Sequence, residues 1–492
     1  MIAPLPFDNT YARMPARFFT RTPPTPVSAP RLIRLNHALA LHLGLDPDWL
    51  ASEPGLAMLA GNRLPDAAEA IATAYAGHQF GGFVPQLGDG RAILLGEVID
   101  RDGVRRDIQL KGAGPTPFSR RGDGRAALGP VLREYVVSEA MAVLGIPTTR
   151  ALAAVTTGEE VFRETILPGG VLTRVASSHI RVGTFQFFAA RGDMEGVRLL
   201  ADHVIARHYP HAAAAERPYR ALLDGVVKAQ AELIAQWLLV GFIHGVMNTD
   251  NMSIAGETID YGPCAFMDHY DPETVYSAID RAGRYAYANQ PTIGQWNLTR
   301  LAECLLPLLS DDDDAAVADA EEALGAYPPA FEKAYQAGLR RKLGLVTEQE
   351  GDLALGRDLL DAMAANRADF TLTFRRLSDA ASDPEADSAV RVLFADATAY
   401  DSWAARWRER LAQEPSDSAA RGAAMRAVNP AYIPRNHRVE AMIRAAVDRD
   451  DFGPFEELLA VLANPFDDQR NFSHYAEPPQ QHERVLQTFC GT

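Results

Sequence analysis

Residues 83–111 read FVPQLGDGRAILLGEVIDRDGVRRDIQLK, and the fold turns on how they divide. Three apolar runs, FVPQL, RAILLGEVI and VRRDIQLK, are separated by Gly88-Asp89-Gly90 and by Asp102-Gly103. Asp-Gly between apolar runs is a strong hairpin signal, because the turn needs residues that tolerate positive φ. The stretch therefore predicts a three-stranded antiparallel meander with a glycine-rich first turn. Side chains alternate along a strand, so Ile108 and Leu110 share one face while Gln109 and Lys111 take the other. Lysine is scarce in this chain: Lys111, Lys228, Lys333 and Lys342 are the only four among 48 basic residues. A lysine on the polar face of a strand, downstream of a glycine turn, has the chemistry to hold phosphate oxygens.

Further on, Leu132, Tyr135, Val136, Ala140 and Val143 recur at helical spacing, which predicts a helix opened by Pro130 and stopped by Gly145. It carries two carboxylates able to orient Lys111, Glu134 and Glu139, and spacing does not choose between them. A second helix is predicted over about 218–240, with Leu222, Val226, Leu233 and Trp237 as its apolar stripe. It runs into GFIHGVMNTDN, residues 241–251, and after SIAGETI comes Asp260-Tyr261-Gly262. Two oxygen ligands flanking a short hairpin, Asn251 and Asp260, suit a hard cation such as Mg²⁺ that bridges phosphates. Asp250 beside them has the chemistry to accept a proton from an incoming hydroxyl. Past about 310 the chain turns alanine-rich and helical, and Asp311–Asp314 after Ser310 read as a solvated helix N-terminus. Residues 1–75 mix prolines with short apolar stretches and read as an extension packed on the core.

The 492 residues are 47% hydrophobic and 23% charged, which fits a folded globular chain and excludes a disordered or fibrous one. Sixty-four acidic residues against 48 basic ones give a net charge of −16, which argues against a nucleic-acid-binding surface. Any anionic ligand has to be caught locally. Three cysteines, Cys264, Cys304 and Cys490, cannot build a disulfide framework and fit a reducing compartment. The opening MIAPLPFDNTYARMPARFF lacks the basic start and apolar run of a secretory signal. The most apolar region, Trp237 to Val246, is broken by Gly241, His244 and Gly245, short of the roughly 20 residues that span a bilayer. The expectation is a cytoplasmic protein with neither membrane nor nucleic acid as a partner.

Glycine turn, strand lysine, helix glutamate, loop asparagine and Asp-Tyr-Gly, in this order, resemble the protein kinases and the aminoglycoside-phosphotransferase-like enzymes. One position departs: the phosphotransferase His-Gly-Asp pattern puts the base at Val246, which cannot take a proton. Over the whole chain the sequence is similar to the selenoprotein O family of kinase-fold proteins, also known as YdiU. The matching stretches include FDNTYARMPARFFTR, YAGHQFGGFVPQLGDGRA, QLKGAGPTPFSRRGDGRA, LTRVASSH, HGVMNTDNM, DYGPCAFMD and NPAYIPRNH. The resemblance implies an α+β, protein-kinase-like bilobal fold. Residues 1–75 would be the N-terminal extension, 76–150 a small lobe of antiparallel sheet plus helix, 151–310 a large helical lobe with the catalytic loop, and 311–492 a helical C-terminal extension.

The same resemblance implies a protein adenylyltransferase that binds ATP inverted relative to kinases and transfers AMP to Ser, Thr or Tyr hydroxyls of protein substrates. By position, Lys111 would grip the buried phosphates and Glu134 would orient it. Gly88, Gly90 and Arg91 would approach the phosphates, the glycines because they allow close backbone contact. Asp123 and Gly124 would meet the nucleotide on its other side, and Arg174 and Arg181 would supply permanent, fork-shaped charge. Asn251 and Asp260 would hold Mg²⁺, for which Mn²⁺ could substitute, with Asp260 also facing the nucleotide. Asp250 would take the role that Val246 cannot. Cys490 stands where many relatives carry selenocysteine, and a reversible disulfide with Cys264 is the redox expectation. Two other readings stay open at this level: γ-phosphoryl transfer with Asp250 as base, and a nucleotide-binding scaffold without turnover.

Overall fold

A computed structural model describes residues 5–489. Among the described residues twelve strands are formed: β1 (Phe19–Arg21), β2 (Arg31–Leu35), β3 (Ile71–Thr73), β4 (Gly77–Gln79), β5 (Gly82–Val84), β6 (Ala92–Ile99), β7 (Arg105–Lys111), β8 (Ala126–Ala127), β9 (Arg150–Phe162), β10 (Ile166–Ala176), β11 (Phe242–Ile243) and β12 (Ala265–Phe266). Eight of them make one antiparallel sheet in the order β1-β3-β6-β7-β10-β9-β2, with β8 beside β10. The rest of the chain is mostly helical, so the class is α+β.

The β6–β7 hairpin forms as the sequence predicts. Asp100 Oδ1 accepts the Asp102 and Val104 amides at 3.0 and 2.8 Å, and Gly103 takes φ 78°. The first strand of the expected meander does not join it: β5 pairs only with β4, and the outer neighbour of β6 is β3. Pro85 has no amide to give a ladder, and the chain turns at Phe80 and Gly81, both at positive φ. Beyond it, the Leu87 and Asp89 amides bond to the carbonyls of Tyr75 and Thr73. The N-terminal residues thus supply three strands of the sheet, β1, β2 and β3.

Alternation along β7 sends Ile108 and Leu110 to a buried apolar layer with Val155, Val171 and Val175. Leu39, Leu43, Leu50 and Met58 from the N-terminal segment cover that layer. On the opposite side, the helix Leu128–Val143 packs through Leu132 and Val136 against Ala154 and Leu172. Val439, Met442, Phe455 and Leu458, from the helices Asn436–Arg449 and Gly453–Leu462, close over it. Burying each such side chain contributes about 1.5–3 kcal/mol. The helix Pro218–Leu239 ends at Gly241, whose φ of 73° turns the chain into β11; β11 and β12 then pair and pinch off the loop between them. Asp312 caps the helix Asp313–Gly325 by accepting the Ala315 amide at 2.8 Å, as the acidic run suggested. No helix among the described residues is long and apolar enough to cross a membrane.

Lys342 ends the helix Tyr327–Lys342 and is buried, its Nζ 4.2 Å from the ring centre of Phe374 and 5.6 Å from that of Phe370. Burial pulls its pKa down to about 7. The unfolded chain therefore binds more protons between pH 7 and pH 10.5, and this residue's contribution to stability grows as pH rises through that window. Lys342→Met is expected to be more stable than the parent at pH 7 by roughly 1–2 kcal/mol, the ring faces returning part of the desolvation cost. The gap should close by about pH 9. Urea midpoints at the two pH values check this, and an equal gap at both contradicts it.

Candidate active site

A cavity of about 660 Å³ lies between the polar face of the sheet and the loop pinched off by β11 and β12. Lys111 reaches it from β7; the register pairs the neighbouring Gln109, on the same face as Lys111, with Arg174 of β10, so alternation delivers Arg174 to that face as well. The helix Leu128–Val143 brings Glu134. Lys111 Nζ meets Glu134 Oε2 at 2.5 Å and Asp260 Oδ1 at 3.5 Å. Arg174 Nε donates to Glu134 Oε1 at 2.7 Å, and its Nη2 donates to Asp260 Oδ1 at 2.8 Å. Arg181 Nη2 lies 3.5 Å from Asp260 Oδ2, and its guanidinium stacks over the Tyr75 ring at 4.4 Å. The Arg181 Nε is buried without a hydrogen-bond partner, which leaves it a spare donor.

Glu139, the other carboxylate of that helix, is occupied elsewhere. Arg150 donates to it at 2.7 and 2.9 Å, and Asn36 and the Ala151 amide also bond it. The choice that spacing left open is thus made by Arg150. Burial alone would raise the carboxyls of Glu134 and Asp260, but the surrounding cations outweigh it. Arg174 and Lys111 hold Glu134 down, and Arg174, Arg181 and Lys111 hold Asp260 well below the usual range. Both are ionised at neutral pH. Asp260 also sits at φ 64°, a left-handed conformation that few residues but Asn and Asp accept outside glycine.

Asp250 and Asn251 occupy a single helical turn, Thr249–Asn251, that follows Val246. Asn251 donates its Nδ2 to the Val246 carbonyl at 3.0 Å, which fixes the amide and leaves Oδ1 for another partner. Asp250 Oδ2 accepts from Gln79 Nε2 at 3.0 Å, while Oδ1 is buried with no hydrogen-bond partner. Burial pushes the Asp250 carboxyl up to about 6, against the bond from Gln79. Val246 itself lines the cavity with nothing to titrate. Asn251 and Asp260 offer hard oxygen donors, the set that suits Mg²⁺ or Mn²⁺.

The glycine turn has a second reason for its composition. Gly88 has φ 99°, and a Cβ there would stand 2.4 Å from the Phe118 ring; one on Gly90 would stand 2.9 Å from the Phe118 carbonyl oxygen. Close packing on Phe118 therefore requires both glycines, apart from any ligand. Arg91 lines the same cavity. Asp123 lies at its rim in an ion pair with Arg163 at 2.9 Å, and Gly124 packs its Cα on the backbone of Gly114. Cys264 is buried just past Asp260-Tyr261-Gly262, and Cys490 lies outside the described residues.

Four residues at the site carry no sequence signal that singles them out. Asp89 reads as a turn residue, yet it is buried, accepting from the Thr73 amide at 3.0 Å and the Thr73 hydroxyl at 2.6 Å, 3.9 Å from Arg181. Tyr75 supplies the face under Arg181. Gln79 and Asn248 bond across the cavity wall, Asn248 Oδ1 accepting from the Tyr285 hydroxyl at 2.5 Å.

A family model described as protein adenylyltransferase SelO matches residues 2–463. A protein nucleotidyltransferase YdiU from Rhodopseudomonas palustris is 71% identical over 492 residues, covering 100% of both chains. Proteins of the same name from Bradyrhizobium diazoefficiens and Methylorubrum extorquens are 69% and 70% identical, again over 100% of each chain. With the model matching nearly end to end and such relatives aligned over their full length, this chain belongs to the SelO family of protein adenylyltransferases.

Proposed function

We propose that this chain transfers AMP from ATP to Ser, Thr or Tyr hydroxyls of proteins, on a kinase-like bilobal fold whose cleft holds the nucleotide inverted. The observation that carries this reading is the placement of Asp250. Its Oδ1 is buried and lacks a donor, and it shares one cavity with Lys111, Arg174 and Arg181, while Val246 offers no base. The full-length likeness to proteins named nucleotidyltransferases supports the same chemistry.

In this mechanism Lys111, held by Glu134, and Arg181, which lines the same cavity, bind phosphate oxygens. The acceptor hydroxyl loses its proton to Asp250, its oxygen bonds to the α-phosphorus, and the bond to the β-phosphate breaks. Pyrophosphate leaves toward Arg174 and Arg181, whose permanent charges need no reorganisation at that moment. Asn251 and Asp260 would hold Mg²⁺ or Mn²⁺, which when bound neutralises phosphate charge. Positioning and charge neutralisation then account for most of the rate.

The test is incubation with Mg²⁺ and ATP labelled at either the α or the γ phosphorus, with protein mass recorded in parallel. Label is expected on protein from the α position alone, with the mass gain of an adenylate. Label from the γ position alone would replace this reading with a kinase. ATP binding without any label would replace it with a non-catalytic scaffold.

A further inference from the structure

The hairpin β4–β5 stands apart from the main sheet, and its polar bonds converge on the loop that carries Asp250. The His78 amide donates to Thr249 Oγ1 at 2.7 Å, the Phe80 amide to Asn248 Oδ1 at 3.1 Å, and Gln79 Nε2 to Asp250 Oδ2 at 3.0 Å. The Thr249 hydroxyl in turn donates to Gln186 Oε1 at 2.6 Å, and the Gln186 amide meets His78 Nδ1 at 2.8 Å, closing a ring of bonds. Phe80 sits at φ 51°, which a phenylalanine seldom adopts; the strain is held by its amide bonds to Asn248 and to the Tyr285 hydroxyl at 3.2 Å. Gly77 fits only as glycine, since a Cβ would stand 2.5 Å from Asp250 Oδ1.

A carboxylate that rotates about its last torsion presents either oxygen, and a misplaced base loses rate steeply. The Gln79 bond removes that freedom. We infer that the hairpin 77–84 is the positioning element of the transfer site, with Gln79 pinning Oδ2 so that the Asp250 carboxylate keeps one orientation toward the acceptor. The inference rests on Asp250 acting as the base, and Gln79 acts through it as a positioning residue.

Gln79→Leu and Gln79→Glu, each alone and combined with Asp250→Ala in the full chain, test it. The readouts are initial rates with α-labelled ATP and Mg²⁺ over a range of ATP concentrations, Kd for ATP by equilibrium dialysis, and melting temperature. Both single variants are expected to lower kcat by about 10²-fold while KM and Kd stay within about two-fold. In the Asp250→Ala background, Gln79→Leu should change the residual rate by less than about two-fold, because the effect passes through a carboxylate already gone. An unchanged kcat in Gln79→Leu, a raised KM with kcat intact, or the same fold loss with Asp250 absent overturns the positioning role. Wild-type transfer by Asp250→Ala removes the base reading itself and this inference with it. An inactive Asp250→Ala beside a fully active Gln79→Leu removes the inference alone.

Discussion

Replacing Asp260 by asparagine is expected to lower AMP transfer by about 10³-fold and, at the same time, to tighten metal-free ATP binding. The carboxylate faces Lys111, Arg174 and Arg181 at 3.5, 2.8 and 3.5 Å, and those cations keep it ionised. Taking away its charge leaves the three cations balanced chiefly by Glu134 at close range, so the pocket becomes more attractive to a bare triphosphate. The same change removes an anionic oxygen from the set proposed to hold the divalent ion, so turnover falls while binding rises. Asparagine is the informative replacement, because it tolerates the φ of 64° and keeps the shape, whereas alanine would add backbone strain. Dialysis against labelled ATP in EDTA, beside rate measurements in Mg²⁺, checks both halves. Transfer within tenfold of the parent, or weaker metal-free binding, would sink the assignment.

Replacing Arg435 by methionine is expected to cost about 3–5 kcal/mol of stability, far more than an exposed ion pair is worth. Arg435 is 0% exposed and donates to Asp268 at 2.7 Å, to Asp369 at 2.9 and 3.1 Å, and from Nε to the Ala476 carbonyl at 2.9 Å. Without it two buried carboxylates face each other. Burial already raises Asp268, with Asp369 adding to it and Arg435 opposing. In the variant the Asp268 carboxyl rises further, so the folded state binds more protons than the unfolded one, and the deficit shrinks as pH falls from about 8 toward 5. Arg435→Lys should recover little, because a single ammonium cannot span two carboxylates with parallel bonds. Urea midpoints for the three proteins at both pH values decide it, and a midpoint unmoved in Arg435→Met contradicts it.

Local rules made Lys111, the long helices and the β6–β7 turn readable, because each depends on neighbours within a few residues. The failures are equally physical. β3 is three residues long, too short for alternation to register, so the pattern alone puts FVPQL in its place beside β6. Glu134 and Glu139 differ only in partners, and the partner that claims Glu139 comes from β9. Gln79 and Asp250 are separated by 171 residues, and no periodicity links them. Asp250, Asn251 and Asp260 were legible because one loop carries all three, while Asp89 was hidden by its fitness for a turn.

The burial of Arg435 bears on the order of synthesis. Every residue proposed to touch nucleotide, metal or acceptor lies between Gly88 and Asp260, so a nascent chain emerging from the ribosome has its reactive groups outside early. Asp268 stays unclamped, and the outer apolar surface of the helix bearing Glu134 stays wet, until residues 435–458 follow. The contacts that clamp Asp268 and cover that helix thus come from the last part of the chain to be made, and a chain interrupted before Arg435 would lack them.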